Sequence, residues 1–178
     1  MASDFVGRLR AAIRDVPDYP KPGIVFRDIT PLLGDAVLFR RACEAMADAF
    51  RSYGVTHVIA IESRGFIFGG VIAERLGAGF VPVRKVGRLP YKTERVEYAL
   101  EYGSDVLEMH IDALGAGSRA LVVDDLLATG GTAAATISLA RQMGADVIGC
   151  SFLIRLGFLS GLQKIGDVRT ESLIVFED

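Results

Sequence analysis

The sequence is poor in the residues that build disulfide frameworks and most zinc centres. Only two cysteines and two histidines occur among its 178 residues. Cys43 falls in a helical pattern and Cys150 in a strand pattern, so both are predicted to be buried, reduced thiols without a redox role. His57 lies in an apolar strand pattern, and His110 ends a strand without the cysteine or carboxylate spacing of a zinc site. We therefore predict neither a disulfide scaffold nor a zinc centre.

A charge excess and a long apolar run are also absent. The chain has 20 basic and 22 acidic residues, so its composition favours neither nucleic acid nor a membrane as a partner. The apolar stretch from Gly65 to Ala73 is interrupted by Glu74 and Arg75 and is too short to span a bilayer. The segment from Met1 to Asp15 is an amphipathic helical pattern without the apolar core of a signal peptide. We expect a cytoplasmic protein that acts on small molecules.

Helical and strand patterns alternate from about residue 35 onward, which predicts an α/β fold with a parallel sheet and crossover helices. The chain length and the 51% of hydrophobic residues are sufficient for one domain, residues 1–178, with a full core. Residues 18–34, with their prolines, are predicted to be an extended segment over that core. The predicted helices cover 35–53, 66–76 and 133–143. The predicted strands cover 55–61, 80–83, 121–123, 147–154 and 172–176, the last at an edge of the sheet.

The segment from Ala120 to Thr132 joins a buried strand, two adjacent carboxylates and a glycine-containing loop. The strand is predicted to end at Asp124 and Asp125, at the edge of the sheet where open α/β folds bind ligands. Paired acids at this edge can accept hydrogen bonds from the vicinal hydroxyls of a sugar. The loop that follows opens a helix, so its backbone N–H groups can bind a phosphate. This phosphate loop consists of Ala128, Thr129, Gly130, Gly131 and Thr132.

The phosphate loop differs from two common nucleotide-binding motifs. It lacks the lysine of the Walker pattern and the G-x-G-x-x-G spacing that accommodates a dinucleotide pyrophosphate. A nucleoside-triphosphatase or a Rossmann dehydrogenase is therefore disfavoured. An acidic strand end followed by a glycine turn with an N-cap threonine is the structural alternative.

Three further strings accompany this segment: Pro22-Gly-Ile-Val-Phe-Arg-Asp-Ile29, Glu62-Ser-Arg-Gly-Phe66 and Leu100-Glu-Tyr-Gly103. Together with 120–132 they resemble the type I phosphoribosyltransferases, and within that family the members that act on adenine. The strings follow the family's order at compatible spacings and span most of the chain. The resemblance implies a twisted, mostly parallel sheet flanked by helices. It also implies an amino-terminal arm and hood (about 1–34) and a mobile catalytic flap (about 86–103).

The activity that the resemblance implies is purine salvage. Phosphoribosyl pyrophosphate and adenine would give AMP and diphosphate through an oxocarbenium-like transition state. The resemblance also implies a homodimer and a Mg²⁺ ion that is held mainly by substrate oxygens and water, with no direct protein ligand. Transferases for orotate, xanthine or hypoxanthine share the fold and the phosphate signature and remain alternatives. A non-catalytic regulator that senses phosphoribosyl pyrophosphate is another, although it predicts a DNA-binding domain or a clustered basic face that the sequence does not show.

The resemblance assigns the sugar and its two phosphate groups to separate residues. Asp124 and Asp125 are catalytic residues that hold the ribose hydroxyls beside the developing cation, and the phosphate loop holds the 5-phosphate. Arg64 is both catalytic and a pyrophosphate ligand, and the family often has a strained peptide in this segment. Without the resemblance, Glu62 and Arg64 would be an ordinary surface pair, and Arg88 a residue of a solvated basic turn. The remaining pyrophosphate ligands are Ser63, Arg84 and Lys85, and a nearby arginine can reach across a dimer interface.

The resemblance places the base between the hood and the flap. Phe26 would stack on adenine, and the backbones of Val25 and Arg27 would bind its polar edge. Phe26 as an anchor of the proline-stiffened arm is the alternative. Glu101 is the catalytic candidate that handles the purine proton, and Tyr102 would cover the reacting centre. A β-hairpin through residues 106–109 with Glu101 simply exposed is compatible with the same pattern.

Overall fold

The centre of the fold is a seven-stranded, mostly parallel β-sheet with helices on both faces. The computed structural model describes residues 2–99 and 104–177. The α/β architecture predicted from the alternating patterns is confirmed. The helices are α1 (Ala2–Ala11), α2 (Thr30–Gly34), α3 (Ala36–Asp48), α4 (Gly65–Leu76), α5 (Gly131–Gln142) and α6 (Gly161–Ile165). The strands are β1 (Arg14–Pro17), β2 (Val25–Asp28), β3 (His57–Ile61), β4 (Gly79–Lys85), β5 (Thr93–Ala99), β6 (Ser104–His110), β7 (Arg119–Leu127), β8 (Asp146–Leu156) and β9 (Thr170–Phe176).

The strand order creates a crevice between β3 and β7. The order is β5-β6-β4-β3-β7-β8-β9, and the five strands from β4 to β9 in this list are parallel. The chain passes from β3 through α4 to β4 on one side, and from β7 through α5 to β8 on the other. Such a reversal of direction opens a ligand crevice at the carboxyl ends of the two strands. β6 and β5 complete the sheet as an antiparallel pair, and β1 and β2 form a separate hairpin.

Two apolar clusters hold the helices on the sheet. Residues of α1 to α4 pack with Leu121 and Val123 on one face, whereas residues of α5 and α6 pack with Ala120 and Val122 on the other. The central strand is therefore buried on both faces, as the continuous apolar run predicts. No helix in the described ranges, 2–99 and 104–177, has the length and apolarity needed to cross a membrane.

Several element boundaries differ from the sequence predictions. β7 does not end at the acid pair but continues to Leu127, and β4 continues through Arg84 and Lys85. The segment 18–34 is not extended throughout, because it contains β2 and α2. The helix predicted over 35–53 ends at Asp48 and is followed by a short 3-10 helix, Arg51–Tyr53. The edge strand predicted at 172–176 is confirmed as part of β9.

The two thiols are free and buried, as predicted. Neither Cys43 nor Cys150 is accessible to solvent. Burial disfavours the charged thiolate and raises the pKa of each thiol to about 12. Because the thiolate is the reactive form, both side chains are chemically inert in the folded protein.

Adjacent glycines of α4 allow a prediction about packing. A β-carbon at Gly69 would lie 2.4 Å from the Ala60 β-carbon, whereas one at Gly70 would have no neighbour within 4 Å. We expect Gly69→Ala to destabilise the protein by about 1–3 kcal/mol through overpacking. Gly70→Ala should stabilise it by up to about 1 kcal/mol, because alanine is the better helix former. Urea unfolding of both variants measures the difference, and equal effects at the two positions would contradict the close approach of α4 to β3.

Candidate active site

The acid pair lies in an irregular part of β7. Before the pair, Leu121 and Val123 belong to one apolar cluster and Val122 to the other. After the pair, Leu126 contacts the first cluster and Leu127 belongs to the second, so the alternation of faces is inverted. At this inversion the two adjacent carboxylates line the same cavity. In a regular strand they would point to opposite faces of the sheet.

Asp124 and Asp125 are close to each other and poorly solvated. Asp125 is 4% exposed, Asp124 is partly buried, and the Asp125 N–H donates to Asp124 Oδ1 at 2.9 Å. Burial and then the charge of Asp125 raise the pKa of Asp124 well above 3.8. Burial also raises the pKa of Asp125, although the Arg64 guanidinium acts against this rise. Negative charge is therefore concentrated here at a free-energy cost to the protein without ligand.

Arg64 contacts the second acid of the pair. Its Nε lies 2.7 Å from Asp125 Oδ2. The two groups form an ion pair, but the Arg64 N–H does not point at the oxygen well enough for a hydrogen bond. Asp125 Oδ2 therefore has no hydrogen-bond donor among the described residues. A buried carboxylate oxygen in this state is suited to accept a hydrogen bond from a ligand hydroxyl.

The raised pKa of Asp124 predicts how stability depends on pH. In the folded protein the pKa of Asp124 lies above its unfolded value of about 3.9, so the Asp124 carboxyl contributes to stability only at low pH. This contribution is lost as the pH rises through the folded-state pKa. Asp124→Asn should therefore raise the Tm near pH 8, by roughly 2–4 °C for each kcal/mol relieved. The gain should vanish near pH 4. Thermal unfolding across this pH range checks the prediction.

Asp105 gives a matched comparison with the opposite sign. Its ion pair with Lys85 lowers the pKa of Asp105, so that carboxylate stabilises the fold above its unfolded pKa and loses this effect as the pH falls. Asp105→Asn should consequently lower the Tm near pH 8. Changes of the same sign in the two variants would contradict the assigned electrostatics.

The segment after β3 forms the basic side of the crevice. The Glu62–Ser63 peptide bond is cis. Glu62 is not paired with Arg64. It accepts a hydrogen bond from Arg84 Nε at 2.5 Å and one from the Lys85 N–H at 3.2 Å, and Arg88 Nε lies 3.4 Å away. Burial acts to raise the pKa of Glu62, but these donors outweigh it, so the pKa is lowered. The alternative in which Glu62 pairs with Arg64 at the surface is therefore wrong. Arg88 belongs to a charged network with Glu62 and Arg84.

Lys85 extends this basic side towards the β5–β6 hairpin. Its Nζ lies 2.9 Å from Asp105 Oδ2, and this contact raises the pKa of Lys85. Lys85 is therefore a fully charged ammonium group at neutral pH, at the wall of the cavity that Asp124 and Asp125 also line.

The phosphate loop is fixed by a second glycine-containing segment. Gly130 has φ +79° and is the N-cap residue of α5, without a side-chain cap. The N-cap threonine of the structural alternative is therefore wrong. A β-carbon at Gly130 would lie 2.5 Å from Gly161 O, and one at Gly161 would contact Ala128 O. Only glycines allow the loop and α6 to pack this closely. Thr132 lines the cavity described below, and its hydroxyl donates a hydrogen bond to Tyr98 Oη at 3.4 Å.

A cavity of about 450 Å³ joins these parts of the crevice. Six of the predicted site residues line it, and Arg84 reaches the same network through Glu62. Five further lining residues were not predicted as site residues. Ile61 and Glu62 lie at the carboxyl end of β3, and Tyr98, Asp105 and Leu107 lie on the β5–β6 hairpin, whose charged and polar pattern resembles that of a surface segment. The predicted residues that line the cavity are Ser63, Arg64, Lys85, Asp124, Asp125 and Thr132.

The hood residues lie at one end of this crevice. The Arg64 guanidinium carbon is 5.2 Å from the centre of the half-buried Phe26 ring, so Phe26 is next to the residue that contacts Asp125. The Arg27 side chain points elsewhere, since it pairs with Asp15 at 2.7 Å and lies over the Phe176 ring. Glu101 and Tyr102 lie outside the described residues.

Comparison with known proteins agrees with this site. Residues 36–177 match the family model of the phosphoribosyl transferase domain. The chain is 51% identical over 175 residues to the adenine phosphoribosyltransferase of Nitrobacter winogradskyi, covering 97% of this chain and 98% of the relative. The crystal structure of the Rhodothermus marinus adenine phosphoribosyltransferase is 50% identical, has a TM-score of 0.93, and covers 98% of this chain and 99% of that one.

A complex from yeast is also similar. The Saccharomyces cerevisiae adenine phosphoribosyltransferase, crystallised with adenine and an imino-altritol bisphosphate, is 37% identical with a TM-score of 0.90, covering 96% of this chain and 99% of that one. The predicted type I phosphoribosyltransferase fold is thereby confirmed. From its sequence, its fold and its crevice, the chain belongs to the adenine phosphoribosyltransferase family.

Proposed function

We propose that the chain transfers the phosphoribosyl group of phosphoribosyl pyrophosphate to adenine and releases AMP and diphosphate. The observation that carries this proposal is the poorly solvated acid pair at the switch point of the sheet, which lines one cavity with Arg64 and Lys85 of the basic wall and with Thr132 of the phosphate loop. The relatives with about half of their residues identical are named for this activity. The reaction is a purine-salvage reaction.

The acid pair would act on the sugar. As the bond to pyrophosphate breaks, the anomeric carbon gains positive charge, and two carboxylates in a poorly solvated site stabilise that charge. Asp125 Oδ2, which forms an ion pair with Arg64 but has no hydrogen-bond donor of good geometry among the described residues, would accept a ribose hydroxyl. The phosphate loop binds the 5-phosphate through the N–H groups at the start of α5, which fixes the sugar in position.

The basic wall would bind the departing pyrophosphate. Arg64, Arg84 and Lys85 supply positive charge, and Ser63 supplies a small polar side chain at the crevice. No cluster of three or more metal-ligating side chains occurs within residues 2–99 and 104–177. We propose that Mg²⁺ is held mainly by substrate oxygens and water, as is usual for magnesium in phosphate sites, and that it neutralises charge on the pyrophosphate.

The hood would recognise adenine through its backbone. Val25 and Arg27 are two residues apart on β2, so their backbone groups point to the same edge of the strand. Pro17, which lies opposite Val25, has no N–H to donate across the hairpin. We infer that the edge of β2 facing away from β1 presents the groups of Val25 and Arg27 to the base, with Phe26 stacked on the ring.

Glu101 and Tyr102 would complete the site from the flap. We propose that Glu101 handles the purine proton and that Tyr102 covers the reacting centre. Glu101→Gln keeps the shape of the side chain but cannot take a proton, so kcat should fall by about 10²–10⁴-fold with little change in the KM for adenine. The pH profile of kcat should also lose one limb. Glu97→Gln, an exposed carboxylate on β5, is the control.

The proposed assembly is a homodimer in the cytoplasm. Ile67, Phe80 and Val86 are apolar side chains that are each at least 39% exposed, and the Phe80 ring packs against Phe66. Large apolar side chains left exposed in this way are candidates for an interface with another chain. The two free, buried thiols agree with a reducing compartment. Analytical ultracentrifugation should give twice the mass of one chain, and a monomer would contradict this part of the proposal.

A parallel assay of five bases tests the function. Purified protein, phosphoribosyl pyrophosphate and Mg²⁺ are incubated with adenine, hypoxanthine, guanine, xanthine or orotate, and nucleotide formation is measured with and without EDTA. Selective, EDTA-sensitive formation of AMP is expected. Preference for another base would overturn the assignment of the hood. Binding of phosphoribosyl pyrophosphate without any reaction would favour the sensor alternative.

A further inference from the structure

A buried carboxylate outside the reaction centre is the starting point. Glu108 on β6 is 1% exposed, although burying a carboxylate is costly unless it is paired and hydrogen-bonded. Its neighbours Leu107 and Met109 point into the apolar core, so Glu108 lies on the other face of the sheet. The function described above gives this side chain no task.

The partners of Glu108 come from the loop between β4 and β5 and from the first residues of β5. Oε1 accepts hydrogen bonds from the N–H groups of Arg88 and Leu89, both at 3.1 Å. Oε2 accepts one from the Thr93 hydroxyl at 3.1 Å, and Arg95 Nε lies 3.3 Å away. Burial acts to raise the pKa of Glu108, but these donors keep it lowered. One carboxylate therefore fixes both ends of the segment 88–93.

The same loop contacts the basic wall of the site. The Arg88 carbonyl accepts a hydrogen bond from Arg84 Nη1 at 3.0 Å, and Arg88 Nε lies 3.4 Å from Glu62 Oε1. Arg84 also donates to Glu62, the residue before Ser63. A continuous series of contacts thus runs from Glu108 through the Arg88 backbone to Arg84 and Glu62.

We propose that Glu108 is a positioning residue: by binding the Arg88 and Leu89 N–H groups it holds the Arg84–Glu62–Arg88 network in the geometry that binds pyrophosphate. The inference rests on the proposed assignment of Arg84 to pyrophosphate. Glu108 touches no substrate, so its effect should be on the affinity for phosphoribosyl pyrophosphate and not on adenine.

Three substitutions of Glu108 separate the effect of side-chain length from the effect of its negative charge. Glu108→Ala removes all acceptors, and Glu108→Asp keeps the charge but withdraws the oxygens from the loop. Glu108→Gln keeps one oxygen that can accept both N–H groups, while its amide can donate to Thr93. We expect the first two variants to raise the KM for phosphoribosyl pyrophosphate about tenfold, which corresponds to about 1.4 kcal/mol. Glu108→Gln should restore it to within about twofold of the native value.

The readouts distinguish positioning from a general structural role. The KM for adenine should stay within about twofold in all three variants. Cleavage by trypsin after Arg88 and Lys92 should be faster in Glu108→Ala and Glu108→Asp than in Glu108→Gln. Arg95→Ala, which removes the exposed ion-pair partner of the same carboxylate, is the control and should change neither KM. If Glu108→Ala does not fold, the contrast between Asp and Gln decides.

Two results would overturn the proposal. One is an unchanged KM for phosphoribosyl pyrophosphate in Glu108→Asp. The other is an equal defect in Glu108→Gln and Glu108→Asp. Arg84→Ala separates this failure from that of the underlying assignment. If Arg84→Ala raises the KM for phosphoribosyl pyrophosphate and Glu108→Asp does not, only the role of Glu108 fails. If Arg84→Ala has no effect, the pyrophosphate assignment fails first.

Discussion

Replacing Asp125 by asparagine is expected to lower kcat by about 10²–10³-fold, the range found when one preorganised electrostatic contact to a transition state is removed. Asparagine has nearly the same shape, so the cavity should persist while the negative charge beside the sugar is lost. The ion pair with Arg64 is lost as well. Steady-state kinetics with both substrates measure the effect. Circular dichroism should show an unchanged fold, since the carboxylate that is removed carries a burial cost.

Asp146 provides the control for this substitution. It is a carboxylate on β8 whose side chain is 64% exposed and pairs with Arg119 at 3.1 Å. Exposed ion pairs of this kind contribute little to stability. Asp146→Asn removes the same charge from the chain and should leave kcat unchanged. A kcat for Asp125→Asn within a few-fold of that of Asp146→Asn would remove the acid pair from the mechanism.

Gly130→Ala is expected to raise the KM for phosphoribosyl pyrophosphate by at least about tenfold, or 1.4 kcal/mol. The left-handed φ at this position favours glycine, and the added methyl group would lie 2.5 Å from Gly161 O. The phosphate loop must then move away from α6, which misplaces the N–H groups that bind the 5-phosphate. Isothermal titration with phosphoribosyl pyrophosphate measures the loss directly.

A second left-handed glycine separates loop displacement from backbone strain. Gly144 has φ +85°, yet a β-carbon there would have its nearest neighbour at 3.6 Å. Gly144→Ala therefore carries the same conformational cost without a close contact, and it should destabilise the protein without weakening ligand binding. Equal losses of affinity in the two alanine variants would show that the contact with Gly161 is irrelevant.

The sequence was sufficient to predict that the acids and the glycine loop are neighbours that follow a buried strand segment. These parts are contiguous between Ala120 and Thr132, although β7 continues past the acids to Leu127. The pairing of Glu62 with Arg84 is different, because it depends on the register of two parallel strands. Ile61 lies opposite Val83, and this brings the next residue of each strand together. No local pattern specifies that register.

Strand β5 shows a second limit of sequence patterns. The polar segment 93–99, which belongs to the predicted flap, is an edge strand paired with β6 along its length, and a flap built on a β-hairpin is compatible with this pairing. Glu94, Arg95 and Glu97 are exposed on this strand, so the alternation of apolar residues is weak. The inverted alternation around Asp124 is a similar case. A regular strand predicts that adjacent acids point to opposite faces, whereas both line the cavity here.

The burial of both thiols has a practical consequence for spectroscopy. A thiol with a pKa of about 12 and no solvent access reacts negligibly with maleimide or iodoacetamide near neutral pH. A cysteine introduced at the exposed position Glu94 on β5 would thus be the single reactive thiol, without removal of Cys43 or Cys150. A fluorophore attached there would report changes in the environment of the β5–β6 hairpin when a ligand is added, in a protein whose core is otherwise native.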